Sequence, residues 1–141
     1  MYMKLSTIIT LVLLCVGTMT LNAQVKFKKG ETKELYAEAK KDNKLVFIDL
    51  FATWCPPCKM MDRDVFSRKD VGDYMDKNFV SAKYSVDEGI GRELAQQYNV
   101  RSIPTYIILD ETGKVIGRMV GGMSNSDFIS KMKAFKDSAN K

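Results

Sequence analysis

No histidine occurs anywhere in the 141 residues. Zinc usually takes four ligands from cysteine, histidine and acids. With no histidine and no second cysteine pair, a zinc module would need two copies of the chain. Cysteine is scarce as well. There are three, and Cys15 lies in the first 23 residues, which leaves Cys55 and Cys58. Two cysteines so close together are no framework of structural disulfides, so a chemical role fits the pair better. Basic blocks are missing too: a net charge of +5 is spread along the chain, which speaks against nucleic-acid binding. No repeat, low-complexity tract or second-domain boundary is visible. With 45% hydrophobic and 28% charged residues, the chain suits one globular domain with its own core.

A long hydrophobic run is also lacking. The longest apolar stretch, Leu5 to Val16, is broken by Ser6, Thr7 and Thr10. It is short for a span of ~20 residues. Lys4 precedes it, small and polar residues follow, and Leu21-Asn22-Ala23 offers a cleavage site before Gln24. Residues 1–23 therefore read as a signal peptide and 24–141 as the exported domain. A retained membrane anchor and a lipoprotein built on Cys15 are the alternatives. Leu14 stands where a lipoprotein signal wants a small residue.

What the chain does have is Phe51-Ala52-Thr53-Trp54-Cys55-Pro56-Pro57-Cys58-Lys59. The apolar run from Leu45 to Phe51 predicts a buried strand, and the spacing after Lys59 predicts a helix. Cys55 then sits near a helix N-terminus, where N–H groups and the helix dipole favour a thiolate. The residues point to thiol–disulfide chemistry. Cys55, as the N-terminal and more exposed cysteine, would attack a substrate disulfide. Cys58, more buried, would resolve the mixed disulfide.

The rest of the chain predicts a β-α-β-α-β-α-β-β-α order, a mixed sheet with helices on both faces. A short edge strand is expected over 24–29 and a helix over 31–41 with Thr32 as its cap. Met60, Met61, Val65 and Phe66 fall at helical spacing and read as core. A second helical piece carries Val71, Tyr74 and Met75. Residues 79–86 alternate as a strand, Gly89 and Gly91 mark a loop, and 92–98 form a short helix. A hairpin follows over 106–120. Ser124 and Asp127 suggest a capping box before a closing helix.

This order, with a Trp-Cys-x-x-Cys motif after the second strand, resembles the thioredoxin family over nearly all of residues 25–136. Ile103-Pro104-Thr105 matches the family's cis-proline segment. Gly113 and Gly121 fall where the family has glycines. Residues 49–66 look most like exported thioredoxin-like domains, such as the C-terminal domain of the transmembrane reductant conductor DsbD. Trp-Cys-Pro-Pro-Cys is similar to exported reductants of the TlpA and ResA type. The resemblance implies an α/β thioredoxin fold and a Cys55–Cys58 redox disulfide, with neither cofactor nor metal. It implies that Asp49, six residues before Cys55, is a buried acid that takes the Cys58 proton, with Lys83 as its partner. Trp54 would shield the disulfide and contact substrate. Ile103, Pro104 and Thr105 would present a backbone edge to an extended substrate.

Direction of electron flow turns on Pro56 and Pro57. Neither has an N–H to give the Cys55 thiolate, and no histidine is present to stabilise it. The expectation is an exported reductant of protein disulfides in the bacterial periplasm, supplied with electrons by a membrane reductant conductor. The alternatives are a disulfide oxidase or isomerase, and a thioredoxin-like binding domain with an idle motif.

Overall fold

The computed structural model describes residues 24–141. The expected signal peptide at 1–23 lies outside the described residues. A two-residue strand β1 (Phe27–Lys28) leads into helix α1 (Thr32–Asp42), strand β2 (Leu45–Phe51) and helix α2 (Pro56–Met61). The chain then widens into a π-turn (Asp62–Phe66) before helix α3 (Lys69–Asn78). Strand β3 (Phe79–Ser85), helix α4 (Gly89–Gln97), strands β4 (Thr105–Leu109) and β5 (Val115–Val120) and helix α5 (Asn125–Ala139) complete it.

The sheet runs β1-β3-β2-β4-β5. β2 pairs in parallel with β3 and antiparallel with β4, and β5 closes a hairpin on β4. This is a mixed five-stranded sheet in the thioredoxin arrangement. β2 lies at its centre, and Leu45 through Leu50 are buried without a break. Burial along both faces is what a central strand of a sheet covered on both sides requires.

Alternate residues of β2 supply two cores. Phe47 faces α2, α3 and α5, where its ring stacks on Tyr106 with centroids 5.6 Å apart and meets Phe128 edge-on at 5.7 Å. Met61, Val65, Phe66, Met75 and Met132 fill the same layer, so the methionine stripe is core. Val46, Ile48 and Leu50 face α1 and α4, against Leu35, Ala39 and Leu94. Each large side chain so buried contributes ~1.5–3 kcal/mol. The helices on both faces are thus anchored to one strand.

Local details differ from the sequence reading. α1 is preceded by Glu31, not capped by Thr32, which is already helical. β1 is shorter than expected and pairs with β3 at two positions. The motif helix starts at Pro56, three residues before Lys59. Proline suits a first turn, whose N–H groups have no helical partner. Gly89 and Gly91 do not mark a loop; they form the first turn of α4. A Cβ on Gly91 would lie 1.9 Å from the Ser85 carbonyl oxygen, so only glycine lets α4 start directly against the end of β3. Ser124 accepts from the Asp127 N–H at 3.1 Å and caps α5.

Candidate active site

β2 ends at Phe51, and the chain turns through Ala52 to Trp54 so that Cys55 becomes the residue just before α2. Cys55 has extended backbone angles, φ −90° and ψ 108°, and its Sγ accepts the N–H of Cys58 at 3.3 Å. The cysteines are joined as a disulfide with Cα atoms 5.3 Å apart. Pro56 and Pro57 fill the two positions between them and offer no N–H.

Exposure does not separate the two cysteines. Each is 2% exposed, against the expectation that Cys55 would be the more open. Phe51, Val86 and Ile103 pack against the cluster that the two cysteines form with Ala52. What does separate them is place: Cys55 caps the helix and Cys58 lies inside it.

Trp54 is not core. It is 65% exposed, and its indole N–H donates to Asp87 Oδ2 at 2.8 Å. The ring lines a groove of about 180 Å³ together with Val86, Val100, Ser102 and Ile103. The Ile103–Pro104 peptide bond is cis. The Pro104 carbonyl accepts from the Gly121 N–H at 2.8 Å, and the buried Thr105 hydroxyl donates to the Ser102 carbonyl at 2.6 Å. Pro104 and Thr105 are therefore held by the fold, while Ile103 packs against the cluster of Ala52, Cys55 and Cys58.

Asp49 is 1% exposed in the middle of β2. Its Oδ2 lies 3.1 Å from Lys83 Nζ, its cross-strand partner on β3, while Oδ1 has no hydrogen-bond partner within the described residues. Burial pushes its carboxyl up to about 6, the Lys83 charge pulls back, and Asp62 pushes up again. Lys83 is no exposed strand lysine. Its ammonium lies 4.4 Å from the Phe51 ring centre, with Phe27 and Phe66 farther out. It also forms an ion pair with Asp62, at the start of the π-turn.

The sequence reading passed over Asp62, Asp87 and Tyr106. Asp62 lies four residues after Cys58, one helical turn on, and that spacing was the available signal. Tyr106 is opposite Asp49 in the β2–β4 register, and its buried hydroxyl has no hydrogen-bond partner among the described residues. Burial, then the charges of Asp49 and Asp62, hold its phenol well above the ordinary range. Asp87 lies 33 residues from Trp54, and nothing local announces the contact.

Comparison with known proteins agrees with this geometry. A family model described as a thioredoxin-like domain matches residues 32–136. A thioredoxin of Chlorobaculum thiosulfatiphilum is 35% identical over 107 residues, 76% of this chain and 94% of that protein. A solution structure from Bacteroides thetaiotaomicron, of a protein proposed to be a disulphide isomerase, superposes with a TM-score of 0.71. It is 33% identical, with 79% of this chain and 93% of that one covered. A thioredoxin of Thermus thermophilus gives a TM-score of 0.69 at 26% identity, covering 79% and 86%.

The buried carboxyl yields a pH prediction. The fold raises the Asp49 pKa from 3.8 to about 6, so it favours the protonated acid. The stabilisation is complete below the unfolded value and is lost as pH rises through the folded one. Two pH units correspond to about 3 kcal/mol. Asp49→Asn keeps the shape without the charge. In urea unfolding followed by Trp54 fluorescence, the variant should exceed the parent by up to about 3 kcal/mol near pH 8. The gap should close as pH falls through the window from about 6 to about 4. A gap independent of pH would contradict the assignment.

Proposed function

We propose, from the premise that this chain belongs to the thioredoxin-like domain family, that it is an exported reductant of protein disulfides. As a thioredoxin-like thiol–disulfide oxidoreductase with a Cys55–Cys58 disulfide, it acts on disulfide-containing substrates. Export, direction and electron donor are the proposed part.

In the proposed cycle the reduced Cys55 thiolate attacks one sulfur of a substrate disulfide. That S–S bond breaks, a mixed disulfide forms and one substrate thiolate leaves. Asp49 takes the proton from Cys58, a task that suits an acid titrating near neutrality. The Cys58 thiolate then attacks Cys55 Sγ. The mixed disulfide breaks, the second substrate thiolate leaves, and the Cys55–Cys58 disulfide closes. Two electrons have passed to the substrate. Lys83 limits the cost of charge on Asp49. Trp54 and Ile103 border the groove in which an extended substrate would lie, and the Ile103 backbone supplies its hydrogen bonds. Pro104 and Thr105 hold that edge in place.

One observation carries the direction. Among the described residues, the Cys58 N–H is the one hydrogen-bond donor found on Cys55 Sγ. Pro56 and Pro57 add none, and the chain has no histidine. A strong oxidant needs an unusually stabilised thiolate, and this site is poor in the means to make one. Its disulfide is then comparatively stable and the dithiol is a reductant. It needs electrons from outside, and a membrane reductant conductor on the periplasmic side would supply them. A disulfide isomerase is the second reading, favoured by the likeness to the Bacteroides protein.

Residues 1–23 are proposed as the export signal. The intact mass of the exported protein should lack them; a mass that retains lipidated Cys15 would make it a lipoprotein instead. In an insulin-reduction assay, Cys55→Ser should lose turnover altogether. Cys58→Ser should accumulate mixed disulfides that it does not release. Full activity in Cys55→Ser would overturn the mechanism.

A further inference from the structure

The catalytic acid in the proposed cycle does not have Lys83 to itself. The ammonium lies between two carboxylates: Asp49 Oδ2 on β2, at 3.1 Å, and Asp62 on the π-turn. Its side chain is 13% exposed and lies against Phe51, with Phe27 and Phe66 farther out, so it has little room to favour one acid by moving. The two acids differ sharply in environment. The Asp49 side chain is 2% exposed and that of Asp62 is 49% exposed. Asp62 thus joins a buried charge pair to solvent. Tyr106 of β4 also faces this cluster, and its buried hydroxyl feels both acids; in the reduced protein the Cys58 thiol is the proton donor of the proposed cycle.

We propose that Asp62, through its ion pair with Lys83, sets how much of the lysine's charge reaches Asp49, and so is a positioning residue for the proton transfer from Cys58. The proposal rests on the reading that Asp49 takes that proton. Two effects act in the same direction. Asp62 is a like charge near Asp49, which disfavours a second negative charge there. It also draws on the ammonium that would otherwise serve Asp49 alone. Both keep Asp49 titrating near neutral pH, where a proton acceptor is most effective. Asp64, two residues on, provides the contrast: it is exposed and paired with Arg63 at 2.6 Å, away from Lys83.

The test is a carboxyl NMR titration of Asp49 in the purified protein. Asp62→Asn should lower the Asp49 midpoint by about one pH unit. Asp64→Asn should leave it in place, and Lys83→Met should raise it. In parallel, the acid limb of the pH profile for substrate release from the mixed disulfide should move down in Asp62→Asn. An Asp49 midpoint that stays or rises in Asp62→Asn overturns the proposal. So does an equal shift in Asp64→Asn, which would mean general surface charge, or a fall in Lys83→Met. The NMR midpoint needs no turnover. A protein that fails to reduce insulin would therefore defeat the functional reading while leaving the role of Asp62 separately measured.

Discussion

The N–H of Cys58 points at Cys55 Sγ from 3.3 Å, and the two residues between them can supply no other. That contact follows from how β2 meets α2. The strand is buried to its end, the turn at Ala52 to Trp54 brings the chain round, and Cys55 lands at the helix cap. Helix caps elsewhere use oxygen side chains to satisfy the first N–H groups. Here sulfur does so, and the same geometry that finishes the helix would hold a thiolate. Replacing two N–H groups by prolines stiffens the turn and limits that hold. The helix start and the proposed redox direction are thus tied to one short stretch.

Six residues before Cys55, a carboxylate is set into a strand that otherwise faces apolar neighbours. Asp49 alternates with Phe47 on the face covered by α2 and α5, among Tyr106, Phe66 and Lys83. Burial there disfavours the charged form more strongly than Lys83 favours it. The result is an acid titrating near neutrality, costly to the fold and suited to moving a proton. Asp62 extends that balance to solvent. Stability and proposed chemistry therefore pull in opposite directions at one residue.

Much of this was legible in the residues. The apolar run at 45–51, the Cys-x-x-Cys spacing and the alternation of strands and helices fix the fold class, because each reflects burial along the chain. Asp49, Lys83 and Ile103-Pro104-Thr105 were reached through likeness of pattern; the structure shows Asp49 buried beside Lys83 and the Ile103–Pro104 bond cis. The π-turn was not visible, since one residue of widening leaves a helical periodicity almost unchanged. Asp62 was legible only as a residue one helical turn after Cys58; its ion pair with Lys83 spans 21 residues. The bond from Trp54 to Asp87 spans 33 residues, and the equal burial of Cys55 and Cys58 depends on Phe51, Val86 and Ile103 arriving from three segments. Such contacts belong to tertiary packing.

The central claim is that this site stabilises its thiolate only modestly. The redox equilibrium of residues 24–141 with glutathione measures that stabilisation directly. The account predicts a potential near that of thioredoxins, about −270 mV. A potential near about −120 mV, that of the strong oxidant DsbA, would contradict it.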